Sequence, residues 1–133
     1  MTTELAYLLS SVLLYLVMIV VQAVAATVSG KASIGELVGA RDNLPSDGLS
    51  TFHARARRAQ ANFTEGMVMF VPLIFAALHL NDLSAFTGIG AAMFFYGRLA
   101  FAPLYYLGVP WLRTLAWAVS IVGIVLIMLE LIV

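Results

Sequence analysis

Four stretches of this chain are each long and apolar enough to cross a bilayer, and that constraint leaves few folds open. A membrane helix needs roughly 20 mostly apolar residues to span a hydrocarbon core of about 30 Å. Such runs occur at about 5–28, 59–80, 84–106 and 110–133, the second with a polar lead-in from about residue 51. Of the 133 residues, 62% are hydrophobic and 11% charged, against about 45–50% and about 25% in soluble domains. In lipid, backbone polar groups must be satisfied inside the segment, which favours helices. The expected fold is therefore all-α: one integral membrane four-helix bundle over residues 1–133. The first run ends near Ala23-Val24-Ala25, which resembles a signal-cleavage site. It is nevertheless read as a span, because it is longer than a signal core of about 7–15 residues and opens on Glu4 without Lys or Arg.

Charge orients the bundle. Threading four spans places the loop 29–55 and the turn near 106–110 on one side, with both termini and the turn 79–82 on the other. All seven basic residues, Lys31, Arg41, Arg55, Arg57, Arg58, Arg98 and Arg113, lie toward the first side. Glu4, Asp82 and Glu130 lie toward the second. The excess of basic residues predicts that the first side is cytoplasmic and that both termini face away from the cytoplasm. The expected setting is a bacterial plasma membrane. The loop is rich in Gly, Ser, Asp and Pro, with one helical turn expected at 34–39 and a cap from Ser50 or Thr51 for the next helix. Pro72 and Pro103 are expected to kink their helices. Small-residue pairs such as Ala26 with Gly30, or Gly88 with Ala92, are expected to let helices approach closely.

Formal net charge is zero, and no basic tract is dense enough to track a run of phosphates, so nucleic-acid binding has no support. Cysteine is absent, which excludes disulfides, thiolate metal sites and a cysteine nucleophile. Thiol chemistry here must arrive with a substrate. His53 and His79 sit about 39 Å apart along one helix and cannot share a metal, so no metal site is expected and both are read as interfacial. Gly88-Ile89-Gly90 lacks the third glycine of a dinucleotide loop and lies within a span, where it is read as packing.

The chemistry concentrates in residues 55–65, RARRAQANFTE. Arg55, Arg58, Asn62 and Glu65, spaced 3, 4 and 3 apart, share one helical face over about 15 Å. Toward lipid, the deeper members would each cost about 2.5–3.5 kcal/mol, so the stripe is expected to face protein or a wet cavity. The third span offers Arg98, with Phe94, Phe101 and Tyr105 at helical spacing, and Arg113 opens the fourth. One reading is a structural ion pair of Glu65 with Arg98 or Arg58 that fixes helix register. It leaves unexplained the excess of donors over carboxylates among Arg58, Gln60, Asn62, Arg98, Tyr105 and Arg113, which points to an anionic ligand.

Residues 58–65, RAQANFTE, resemble the second-helix signature of the MAPEG family, the membrane-associated proteins in eicosanoid and glutathione metabolism. That signature is Arg, Ala, a polar residue, any residue, Asn, any two, then Glu. The four spans, the long first loop, the arginine and tyrosine of the third helix and the arginine opening the fourth extend the resemblance over nearly the whole chain. It implies a homotrimer that binds glutathione as co-substrate between neighbouring subunits. Arg58 would hold a glutathione carboxylate, and Gln60, Asn62 and Glu65 its peptide and amino end, with Arg98 and Tyr105 lining the same pocket. Arg113 would be catalytic, beside the sulfur; Lys31 or Arg41 would add a carboxylate contact. A free thiol has a pKa near 8.5, and a cation within about 4–6 Å lowers it by roughly 1–3. The implied activity is a glutathione transferase or peroxidase acting on a lipophilic electrophile dissolved in the bilayer. The alternative is a non-catalytic membrane scaffold or lipid-binding protein whose polar cluster only joins helices. Phe101 stands where characterised branches carry Tyr or His, and Gly66 where the leukotriene branch has Tyr; both argue against a specific eicosanoid reaction.

Overall fold

Five helices account for the chain in a computed structural model that describes residues 1–133. They are α1 (Thr3–Val28), α2 (Ile34–Val38), α3 (Thr51–Leu80), α4 (Ala85–Leu107) and α5 (Pro110–Glu130). All but α2 are long and apolar enough to cross a membrane. Hydroxyl side chains begin four of the five. Thr2 accepts from the Leu5 N–H, Ser50 from His53, and Ser33 and Ser84 form reciprocal capping boxes with Glu36 and Thr87. Each satisfies backbone donors that a helix start leaves open. Helix α5 uses Pro110 at its first turn instead, where a missing N–H costs nothing. Asn81 and Gly108 end α3 and α4 in the left-handed conformation, with φ of 55° and 75°.

The boundaries depart from expectation in one place. Helix α3 begins at Thr51, so its polar lead-in is already helical and the loop is shorter than 29–55. Pro72 and Pro103 sit inside α3 and α4 without interrupting either. The helical turn expected at 34–39 is α2, and Ser50 is the cap of α3.

Side-chain ties fix the up-and-down arrangement. At one end Glu4, only 4% exposed, accepts a hydrogen bond from the Thr87 hydroxyl at 2.7 Å, joining the start of α1 to the start of α4. There the carboxylate also meets the positive end of the α4 dipole. At the other end Gln22 bonds His53 at 2.9 Å, and Arg55 donates to the Tyr106 carbonyl at 3.2 Å. The end of α1, the start of α3 and the end of α4 therefore share one end of the bundle. Gly90 near the start of α4 meets Ile127 near the end of α5, which puts both chain termini at the opposite end.

Helices α4 and α5 touch backbone to backbone. A methyl at Gly90 would lie 2.7 Å from the Gly123 carbonyl, and one at Gly97 would lie 2.8 Å from the Ala116 carbonyl. Gly90 and Gly97 are seven residues apart on one face. The small-residue pairs named from spacing are not the seam: Gly30 has nothing within 4 Å, and Gly88 meets Glu4 and Thr3 on α1. Spacing by four locates small residues but does not say which of them meet a neighbouring backbone. Two apolar clusters fill the bundle. Met18, Ala59, Phe63, Phe101, Ala102 and Ala116 form one; Phe70, Ile74, Ala91, Phe94, Ile124 and Ile127 form the other. Only 27 of 133 residues are buried, and exposed leucines and valines cover α1 and α5, the outward-facing apolar surface that lipid requires.

Gly123→Val should push α4 and α5 apart and lower thermal stability in detergent by about 1–3 kcal/mol. Gly35→Ala, where a methyl meets only the Ser33 hydroxyl at 3.9 Å, should change it by less than about 0.5 kcal/mol. Equal midpoints for the two variants would show that the glycine seam is not formed.

Candidate functional site

The polar stripe of α3 divides into two flanks. At about 100° per residue, Arg55 and Asn62 nearly coincide in direction, while Arg58 and Glu65 lie about 60° and about 80° round from Arg55. Arg55 and Asn62 turn into the bundle. The Arg55 guanidinium lies against Gly108 and donates to the Tyr106 carbonyl in the last turn of α4. Arg58 and Glu65 are exposed on the protomer surface. Gln60, about 200° round from Asn62, is half-buried, and its carbonyl accepts from the Thr64 hydroxyl. That hydroxyl also meets Tyr15 of α1 at 2.8 Å.

Arg98 is the largest fully buried side chain, 1% exposed. Its Nη1 donates to Asn62 Oδ1 at 2.6 Å. Three aromatic rings surround the guanidinium, with Phe63, Phe94 and Phe101 centroids 5.7, 5.5 and 5.4 Å from Cζ. Such contacts are worth about 0.5–2 kcal/mol each, more when desolvated. Gly66 makes the fourth wall, because a methyl there would lie 2.6 Å from Nη2. The Nε–H of Arg98 has no partner. No carboxylate oxygen lies within 4.0 Å of the guanidinium nitrogens of Arg58, Arg98 or Arg113. The structural ion pair of Glu65 with Arg98 or Arg58 is therefore not formed as a contact; Arg58 and Glu65 are exposed while Arg98 is buried.

Beside Asn62 opens a cleft of about 170 Å³ lined by Asn62, Phe101, Tyr105, Arg113, Thr114 and Trp117. Arg113 Cζ stands 4.4 Å above the Tyr105 ring, and Tyr105 packs edge-on against Phe101 at 5.3 Å. Phe101, Tyr105 and Arg113 thus form one wall of two rings and a cation. Arg98 itself lies behind this wall. Of the residues expected at the site, the cleft brings together Asn62, Tyr105 and Arg113. Arg98 reaches it through Asn62, Arg58 and Glu65 sit outside it, and Gln60 faces elsewhere. Thr114 and Trp117 were not foreseen: they follow Arg113 by one and four residues, which puts Trp117 on its helical face. Gly66 gave only the signal of a glycine four residues after Asn62.

A second cavity of about 380 Å³ lies under the loop, with Gln22, Arg41, Ser46, His53 and Arg57 among its lining. Arg41 folds back onto the Leu37 carbonyl, and Lys31 is exposed, so neither lines the cleft. His53 is buried, 5% exposed. Its Nδ1 accepts from the Leu49 N–H at 2.9 Å, so the neutral ring carries its proton on Nε2, and the Gln22 amide must turn its oxygen toward that N–H to accept it. The ring pins the loop to α1. In α2 the Ser33 backbone N–H and then its hydroxyl hold the Glu36 carboxyl below the usual range.

A family model described as MAPEG matches residues 7–133. The chain belongs to the MAPEG family. MAPEG proteins include glutathione transferases and related enzymes, and the match covers every spanning helix and the cleft. Comparison with curated proteins and with solved structures finds no match.

Asn62→Ala would leave Arg98 buried without its oxygen acceptor, a loss of about 1–3 kcal/mol of stability. Lys31→Ala should stay within about 0.5 kcal/mol. Thermal unfolding of both in the same detergent checks this, and unchanged stability in Asn62→Ala would contradict the bond.

Proposed function

We propose that the protein binds glutathione at the Asn62–Tyr105–Arg113 cleft and activates its thiol for attack on a lipophilic electrophile, as a membrane glutathione transferase or peroxidase. The observation that carries this reading is a cleft at membrane depth lined by donors and a guanidinium with no carboxylate among its walls. Such a cleft is complementary to an anion. Arg113 is the cation within reach of a bound sulfur. It stabilises the thiolate, and the thiol proton leaves to water. In the transferase reaction the sulfur then forms a bond to the electrophilic carbon as that carbon's leaving group departs. Burial of both partners at one depth supplies the proximity that a water-borne thiol and a lipid-borne electrophile otherwise lack.

The same reading calls for more than one chain. Ligand sites usually enclose about 300–1,000 Å³, so the cleft of one protomer holds only part of a tripeptide. Glu65 lies about 21 Å along α3 from Thr51, deep in the membrane and exposed. Facing lipid it would cost about 2.5–3.5 kcal/mol. A homotrimer that sets Arg58 and Glu65 against a neighbouring subunit removes that cost and completes the site. The basic end of the bundle faces the cytoplasm by its excess of Lys and Arg, where glutathione enters. One observation favours the non-catalytic alternative: Asn62 and three rings already accommodate Arg98. Arg113 has only the Tyr105 ring, which leaves it available.

Glutathione titrated into purified wild type should bind, and Arg113→Ala should lower conjugation of a chlorodinitrobenzene substrate about tenfold or more near neutral pH. A depressed thiol pKa makes the rate rise with pH through that pKa, so in Arg113→Ala the rise should move to higher pH. Failure of the wild type to bind glutathione, or an Arg113→Ala profile that superimposes on wild type, refutes the assignment.

A further inference from the structure

The hydrogen bond between Arg98 and Asn62 is directional in a way that bears on the cleft. A guanidinium has five donors and no acceptor, so the Asn62 atom facing it must be the carbonyl oxygen, as the 2.6 Å contact from Nη1 to Oδ1 has it. The amide nitrogen is then the other end, and Asn62 lines the cleft. We infer that Arg98 is a positioning residue: it pins Asn62 Oδ1 from behind and so presents the Asn62 amino group to the cleft as a fixed donor for a ligand carboxylate or carbonyl oxygen.

Everything around Arg98 serves to keep it in that place. Its guanidinium is walled by Phe63, Phe94 and Phe101, and the space for Nη2 exists only because residue 66 has no side chain. A buried N–H without a partner is rare in native proteins and calls for a reason. Here Nε is left without one while Nη1 is delivered to Asn62. A fold that used Arg98 merely as internal glue would gain by satisfying Nε as well. Phe101 and Tyr105 stand between Arg98 and the cleft, so its charge acts through the amide, which it polarises toward stronger donation. This also gives Gly66 and Phe101 a common purpose: one makes room for the guanidinium and the other screens it from the ligand.

The identity of the ligand rests on the glutathione reading; the orientation of the amide does not. Asn62→Asp separates the two possibilities. An Asp oxygen accepts from Nη1 as well as Oδ1 does and adds opposite charge, so the variant should fold and be at least as stable as wild type. Its outward atom is an acceptor rather than a donor, and glutathione affinity should fall about tenfold or more, the loss expected when a charged-group hydrogen bond is removed. Gly66→Ala, which displaces the guanidinium without touching Asn62, should weaken binding several-fold. Wild-type affinity in Asn62→Asp, wild-type affinity in Gly66→Ala, or an Asn62→Asp protein less stable than Asn62→Ala would each overturn the inference. If wild type itself binds no glutathione, the ligand assignment fails, and the stability order of Asn62→Asp over Asn62→Ala alone decides the orientation.

Discussion

The structure is organised around a cation that has been taken out of water. Arg98 sits inside a membrane bundle with no carboxylate within 4.0 Å of its guanidinium, although charge at that depth is costly. Three ring faces, one amide oxygen and the gap left by Gly66 meet that cost. The requirement reaches into two elements. Helix α3 must supply Asn62, Phe63 and Gly66 within one turn, and α4 must supply Phe94, Arg98 and Phe101 at intervals of four and three. Both helices must then meet at that level, which the interlocked clusters on either side of Phe63 and Phe94 ensure.

From that arrangement the cleft follows. Phe101 and Tyr105 continue the wall from the buried arginine to Arg113 at the head of α5. The glycine seam holds α5 against α4 so closely that this register cannot slip without backbone collision. Gly66 and Phe101 both lie against Arg98 and so act as coupled parts of one arrangement.

Much of this was legible in the sequence. Length and apolarity gave the four spans, because the bilayer imposes a minimum that few other structures satisfy. Spacing put Asn62 and Arg98 on facing sides of adjacent helices, and the RAxxNxxE signature carried the family. What spacing did not supply was direction within the stripe. Arg58 and Asn62 differ by about 40°, which is enough for one to face outward and the other Arg98. Nor did it reveal which glycines form the seam, since Gly88 and Gly90 look alike until the path of α5 is known. The burial of His53 had no signal in spacing because its partners, the Leu49 N–H and Gln22, lie on other elements. Glycine positions carry no visible side chain, so the role of Gly66 emerged only when the guanidinium beside it was placed.

The central claim is that the cationic wall of the cleft is there to hold a thiolate. Ultraviolet difference absorption of glutathione mixed with the purified protein near neutral pH tests it directly, because the thiolate absorbs and the thiol does not. The account predicts a thiolate band that grows to saturation with added glutathione and is lost in Arg113→Ala. Saturable binding with no thiolate band would contradict it, leaving a membrane protein that holds the tripeptide without activating it.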